Sequence, residues 1–248
     1  MPKIFLSPST QEYNQYITGA GSEEYFMNLV ADAMEPYLRS NGIRYRRNDP
    51  DTSAGAAIRE ANSGYYDFYL ALHSNAIGNG SAQTSARGII AFYYPGSVNG
   101  QRAAELFASA LREIYPMPDQ VTARSTTTLA EVRRTKAPSV LLEIGYHDNA
   151  ADAQWIAEHI NLIAQTLVKA MTEYFGLPYV YPGPRQPGLA VTDSGGPVNL
   201  RAYPSAEGQV LTQIPCGATV TVFGQYRGWY VVLYNDTIGY ANSAFIRL

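Results

Sequence analysis

The chain carries a single cysteine, Cys216, among 248 residues. No internal disulfide and no cysteine-based metal knuckle can form, so stability has to come from packed apolar cores. An excess of positive charge is also missing. Lys and Arg number 18 against 21 Asp and Glu, a net charge of −3, which offers no basic stripe to a nucleic acid backbone or an anionic membrane surface. No apolar run approaches the ~18 to 20 residues that span a bilayer. Met1-Pro2-Lys3 leads straight into the strand-like Ile4-Phe5-Leu6, without the basic, apolar and small-residue regions of a secretory leader. These absences predict a protein made soluble in the cytoplasm, not inserted in a membrane, that needs release to reach any external substrate; a monomer is expected.

What is present reads as a folded chain, 46% apolar and 16% charged without long blocks of one sign. At this length one large unit plus one small module is the natural division. Over residues 3–175 short apolar runs alternate with segments of helical period, which predicts an α/β unit with a mainly parallel twisted sheet flanked by helices. Strands are expected over 3–6, 43–47, 68–72, 88–94 and 139–143. The two that are apolar on both faces, 68–72 and 139–143, belong in the middle of the sheet. Ser22 can cap a helix whose first turn holds Glu23 and Glu24 and whose apolar stripe runs from Leu29 to Leu38. Pro36 should kink it. Further helices are expected over 54–62 and 103–115, with two helices or one bent helix over 151–174. A cluster of Pro and Gly then predicts a linker over 178–191, separating a unit over 1–177 from a small all-β barrel over 192–248 with five short strands.

Ligands of open α/β sheets bind beyond the carboxyl ends of the strands. One predicted strand delivers His73 there, in Leu-His-Ser-Asn-Ala; another delivers Glu143, in Leu-Glu-Ile-Gly-Tyr. The loop after the first strand brings Glu12 and the next helix start brings Glu23 and Glu24. An imidazole and several carboxylates without a fixed cation among them invite a divalent metal.

These segments, together with Glu24-Tyr-Phe-Met-Asn-Leu29, Asp148-Asn149 and Arg87-Gly-Ile-Ile, resemble the Amidase_3 group of N-acetylmuramoyl-L-alanine amidases. The resemblance implies a zinc hydrolase that cuts the amide between the lactyl group of N-acetylmuramic acid and L-alanine in peptidoglycan. Carried over residue by residue, it makes Glu24 and His73 zinc ligands and Glu143 the catalytic carboxylate, with Asn75 touching substrate or orienting the His73 loop. The group usually has a histidine in the turn after its first strand, where this chain reads Ser-Pro-Ser-Thr-Gln-Glu-Tyr-Asn. Glu12 is the nearest replacement as third ligand, and His147 is its rival.

The tail motifs Val198-Asn-Leu-Arg, Gly228-Trp-Tyr-Val-Val and Gly239-Tyr-Ala resemble a bacterial SH3 domain, which implies a wall-binding module. An endolysin- or autolysin-like hydrolase is the leading expectation. A catalytically inactive wall binder and a glycosidase using a carboxylate pair such as Glu24 and Glu143 are the alternatives.

Overall fold

The computed structural model describes residues 1–78 and 82–248. Its chain divides into two compact units, one of residues 3–34 and 45–174, the other of residues 1–2, 35–44 and 175–248. Up to Phe175 the elements are β1 (Lys3–Pro8), α1 (Glu23–Ser40), β2 (Arg44–Arg47), α2 (Ala54–Ser63), β3 (Phe68–Asn75), β4 (Ile89–Tyr93), α3 (Val98–Arg112), β5 (Val121–Ser125), α4 (Ala130–Arg133), β6 (Ser139–Tyr146), α5 (Ala150–Glu158) and α6 (Ile160–Phe175). The expected α/β architecture is present. Helix α1 runs on through Pro36, and the helical stretch at 151–174 is two helices.

The sheet has six strands in the order β2-β1-β3-β6-β4-β5. Pairs β1–β3, β3–β6 and β4–β5 are parallel and β4–β6 is antiparallel, so the sheet is mainly parallel, as expected, with one antiparallel pair among these. The doubly apolar strands β3 and β6 lie side by side in the middle, as their composition requires. Two elements escaped the sequence reading, β5 and the one-turn helix α4. Each is too short to show a hydrophobic period.

Alternation along the strands decides which residues share a face. Phe5, Tyr69, Ala71 and Leu141 pack in one cluster with Ala57 and Ala61 of α2 and Val132 of α4. Phe5 stacks on Tyr69 with ring centroids 5.4 Å apart. Counting on by two places Ser7, His73 and Glu143 on this same face, one step past the core at the strand ends. Phe68, on the other face, packs against Phe107 of α3 and Tyr174 of α6.

The second unit contains β7 (Gln186–Ala190), β8 (Val198–Arg201), β9 (Val210–Ile214), β10 (Thr219–Tyr226), β11 (Trp229–Tyr234), β12 (Thr237–Asn242) and β13 (Ile246–Arg247). They form one sheet in the order β13-β7-β10-β11-β12-β8-β9. Asn235 and Asp236 join β11 to β12 with φ of 42° and 58°, the two-residue turn that favours these residue types. One face packs Ala190, Val198, Leu200, Ile214, Val220, Val222, Val232, Ala241 and Ile246 together. The other gathers Phe223, Val231, Ile238 and Tyr240 around Val180.

Within the segment expected as a linker, 178–191, residues Gln186–Ala190 form strand β7 and Val180 is held in place. Gln186–Ala190 pairs with β10 from Leu189↔Thr219 to Gln186↔Val222. Val180 is buried, its N–H donates to Asn41 Oδ1 at 2.6 Å, and its carbonyl accepts from Ser40 Oγ at 2.9 Å and Asn41 Nδ2 at 3.0 Å. Proline lacks a backbone donor, and because β13 pairs only with Leu189 and Ala190, the Gln186–Gly188 stretch of β7 is a local edge where Pro187 is tolerated.

Candidate functional site

The register places His73 of β3 directly beside Glu143 of β6. The imidazole is buried and flanked on both edges: Nδ1 lies 2.8 Å from Glu23 Oε1 and Nε2 lies 2.8 Å from Glu131 Oε2. Glu23 begins α1 and is itself buried. Its second oxygen accepts from Asn14 Nδ2 at 2.7 Å, and Gln11 Nε2 donates to Oε1 at 3.3 Å. Glu131, on α4, accepts at Oε1 from Ser7 Oγ at 3.0 Å and Tyr69 Oη at 2.7 Å. Every edge of the imidazole–carboxylate chain is thus anchored to a strand, a helix start or the loop after β1.

The charges follow from this packing. Burial opposes a charge on His73, but Glu131 and then Glu23 outweigh it and raise the imidazole pKa well above its usual value. Burial likewise works to raise Glu23 and Glu131, yet bonding and attraction to His73 hold both below the ordinary carboxylate value. The imidazole and its two carboxylate neighbours thus favour one another's charged forms. Glu143 is different. Its Oε2 is sealed from water without a hydrogen-bond partner among the described residues. Burial, aided by Glu23 and Glu131 against the opposing pull of His73, pushes its carboxyl up to about 7. A buried acid poised there can both take and give a proton near neutrality. A cleft of about 610 Å³ opens over these groups, lined among others by Tyr13, Ser53, His73, Leu129, Glu131 and Glu143.

A metal needs lone pairs converging on one point. His73 Nδ1 and Glu23 Oε1 meet this, being ordinary zinc ligands placed side by side. Glu131 does not, because it faces the opposite ring nitrogen. Among the described residues no three His, Cys, Asp or Glu side chains converge in a metal-holding group. Glu131 instead suits the outer carboxylate that fixes the tautomer and tilt of a metal-ligating histidine.

Residues 10–173 match the Amidase_3 family, described as N-acetylmuramoyl-L-alanine amidase. The chain belongs to this family. Residues 196–247 match the bacterial SH3 domain. The N-acetylmuramoyl-L-alanine amidase LytC of Bacillus subtilis (strain 168) is 25% identical over 178 residues, 69% of this chain. The chain spans about a third of the length of that curated relative, 35%. Among solved structures, the amidase AmiC2 of Nostoc punctiforme is similar with a TM-score of 0.62 at 15% identity, covering 71% of this chain and 97% of that one. The catalytic domain of the amidase CwlV from Bacillus (Paenibacillus) polymyxa var. colistinus gives 0.61 at 18%, covering 72% and 100%. At such identities the likeness speaks for the fold.

Within this amidase fold the expected site residues divide. His73 and Glu143 come together. Glu24 does not join them: Glu23 takes the place beside His73, because adjacent residues on a helix point about 100° apart. Glu12 is exposed, and the loop after β1 turns Gln11 inward instead, with Nε2 at 3.4 Å from His73 Nδ1. His147 is buried elsewhere, with Nδ1 2.9 Å from the Ser74 carbonyl and its ring stacked on Tyr16. Asn75 spends Oδ1 on the N–H of Ala76. Glu131 is the site residue that sequence reasoning missed. Its single signal was a carboxylate within the apolar-flanked Leu129-Ala-Glu-Val132, which the short α4 hides.

Two other motifs are structural. Asp152 accepts from Arg87 Nε at 2.7 Å, Tyr115 Oη at 2.6 Å and the N–H groups of Gly88 and Tyr146. Gly145, at φ +73° with the Asp152 side chain 3.3 Å from where a Cβ would stand, permits that approach. Asn149 caps α5, and Asp148 Oδ2 accepts from the N–H of Ile77.

Proposed function

We propose that this chain is a zinc-dependent peptidoglycan hydrolase that cleaves the amide between N-acetylmuramic acid and L-alanine, with the C-terminal β-unit as its wall-binding module. The observation that carries the reading is the buried pair of His73 Nδ1 and Glu23 Oε1 beside a raised, unpartnered Glu143 in an open cleft. His73 and Glu23 would hold the ion, and Glu131 would orient His73 from behind. Bound there, zinc supplies Lewis-acid polarisation and makes water more acidic. Glu143 takes the proton of the attacking water at Oε1, the oxygen that is not sealed, and passes it to the departing amine of L-alanine. Apolar Leu129, Ala130 and Leu141 in the cleft limit competing water around that transfer.

An endolysin- or autolysin-like role follows from pairing such a site with an SH3-like module, which raises the effective concentration of the enzyme at an insoluble wall. The pair named for the glycosidase alternative, Glu24 and Glu143, is not brought together, and the other carboxylates beside Glu143, Glu23 and Glu131, are both bonded to His73. Digestion of purified walls with and without a chelator, followed by end-group analysis, tests the proposal. New alanine amino groups, lost on chelation and in Glu143→Gln, support it; new reducing sugar ends, or digestion indifferent to the chelator, refute it.

A further inference from the structure

We infer that Gln11 supplies the third metal donor, through its side-chain carbonyl, in the turn where the family's usual histidine is missing; the inference rests on the zinc reading above. Three atoms already meet at one point. His73 Nδ1 and Glu23 Oε1 are 2.8 Å apart, and Gln11 Nε2 lies 3.4 Å from the first and 3.3 Å from the second. Donors placed about 2.0 to 2.1 Å from a tetrahedral ion are about 3.3 Å from one another. The triangle is thus close in size to the spacing of three donors that would share one ion, and Gln11 and His73 both line the cleft.

Without a cation, the amide presents its NH2 end, which donates to Glu23 Oε1 at 3.3 Å. A cation reverses the preference. Turning the amide about its last torsion, which is soft for an sp2 group, puts Oε1 on the same spot. Oε1 now accepts from Tyr13 Oη at 3.0 Å and Asn14 Nδ2 at 3.2 Å. After the turn the Tyr13 hydroxyl can accept from Nε2, since a phenol does either. Asn14 Nδ2 keeps its 2.7 Å bond to Glu23 Oε2 but loses Gln11 Oε1 as an acceptor, so its contact with Gln11 has to loosen when the amide turns.

Other candidates fail on position. Glu12 is exposed, Nδ1 of the buried His147 faces the Ser74 carbonyl at 2.9 Å, and Glu131 faces the far edge of the His73 ring. A neutral amide in place of Glu12 has an electrostatic consequence. With neutral His73 and one carboxylate, a bound zinc would keep a net charge of +1 and would be a stronger Lewis acid than with two carboxylates. As a donor the amide is weaker than imidazole, so this chain should hold zinc less tightly than its own histidine variant.

Zinc affinity of the full chain, measured by competition with a chromophoric chelator, tests this directly, with visible spectra of the cobalt-substituted protein as a second readout. Gln11→Ala should weaken zinc binding by at least about tenfold and alter the cobalt spectrum, and Gln11→His should tighten it by a similar factor. Glu12→Ala should stay within about threefold of the parent. Melting curves of the metal-free variants report whether the fold is kept. Unchanged zinc affinity in both Gln11 variants, or a loss in Glu12→Ala, overturns the assignment. Wild-type protein that takes up no zinc overturns the zinc reading along with it, whereas zinc uptake lost in Glu23→Gln but untouched in Gln11→Ala overturns the assignment alone.

Discussion

Replacing Glu143 by Gln should abolish wall digestion and yet make the metal-free protein more stable at neutral pH. The Glu143 carboxyl rises from an ordinary value of 4.5 to about 7, chiefly because burial strips water from its anion. At about 1.4 kcal/mol per pH unit, keeping that anion inside costs the fold about 3 kcal/mol. Part of the residue still lines the cleft, and the new amide brings a donor that needs a partner, so about 1 to 2 kcal/mol should be recovered. For a chain of this size that is a rise in Tm of about 2 to 8 °C. The sign follows from proton linkage. A raised folded pKa means the native state keeps a proton that the unfolded chain releases, so this group's stabilising contribution is complete below pH 4.5 and is lost as pH rises through about 7. The advantage of Glu143→Gln must therefore be smallest near pH 4.5, grow up to about pH 7, and level off above it. Thermal unfolding of both proteins in chelator across that range reads the difference. A Tm gap that is constant with pH, or negative at pH 8, refutes the assignment of a desolvated carboxylate with a raised pKa.

Three further outcomes are expected. Glu131→Gln keeps an acceptor for Ser7 and Tyr69 but loses the carboxylate on His73 Nε2, so zinc affinity by chelator competition should fall about 10- to 100-fold with the fold intact. Glu23→Gln should reduce wall digestion by more than about 100-fold, while Glu24→Gln stays near the parent, because Glu23 is the residue bonded to His73; equal losses in a turbidity assay would restore Glu24 to the site. Asp152→Ala leaves Arg87, Tyr115 and two backbone N–H groups without their shared acceptor and should cost about 3 to 5 kcal/mol by denaturant titration, with zinc affinity little changed in protein that remains folded.

The sequence by itself determined the α/β class, the central place of β3 and β6, and the delivery of His73 and Glu143 to one rim. Those follow from local rules: doubly apolar strands must be covered on both faces, and alternation fixes which side chain comes next. It also carried the family resemblance, since its motifs are contiguous stretches of chain. What it could not decide was rotation and closure. Whether Glu23 or Glu24 faces inward depends on how α1 is turned against the sheet, a difference of one residue that no spacing resolves. Whether Gln11 or Glu12 enters the site depends on a loop held by Tyr13 and Asn14. Glu131 comes to His73 only because α4 packs Val132 into the Phe5–Tyr69 cluster, and Gln186–Ala190 becomes a strand only because β10 offers it an edge. Such choices belong to contacts between residues far apart in the chain, and only the packed tertiary structure makes them.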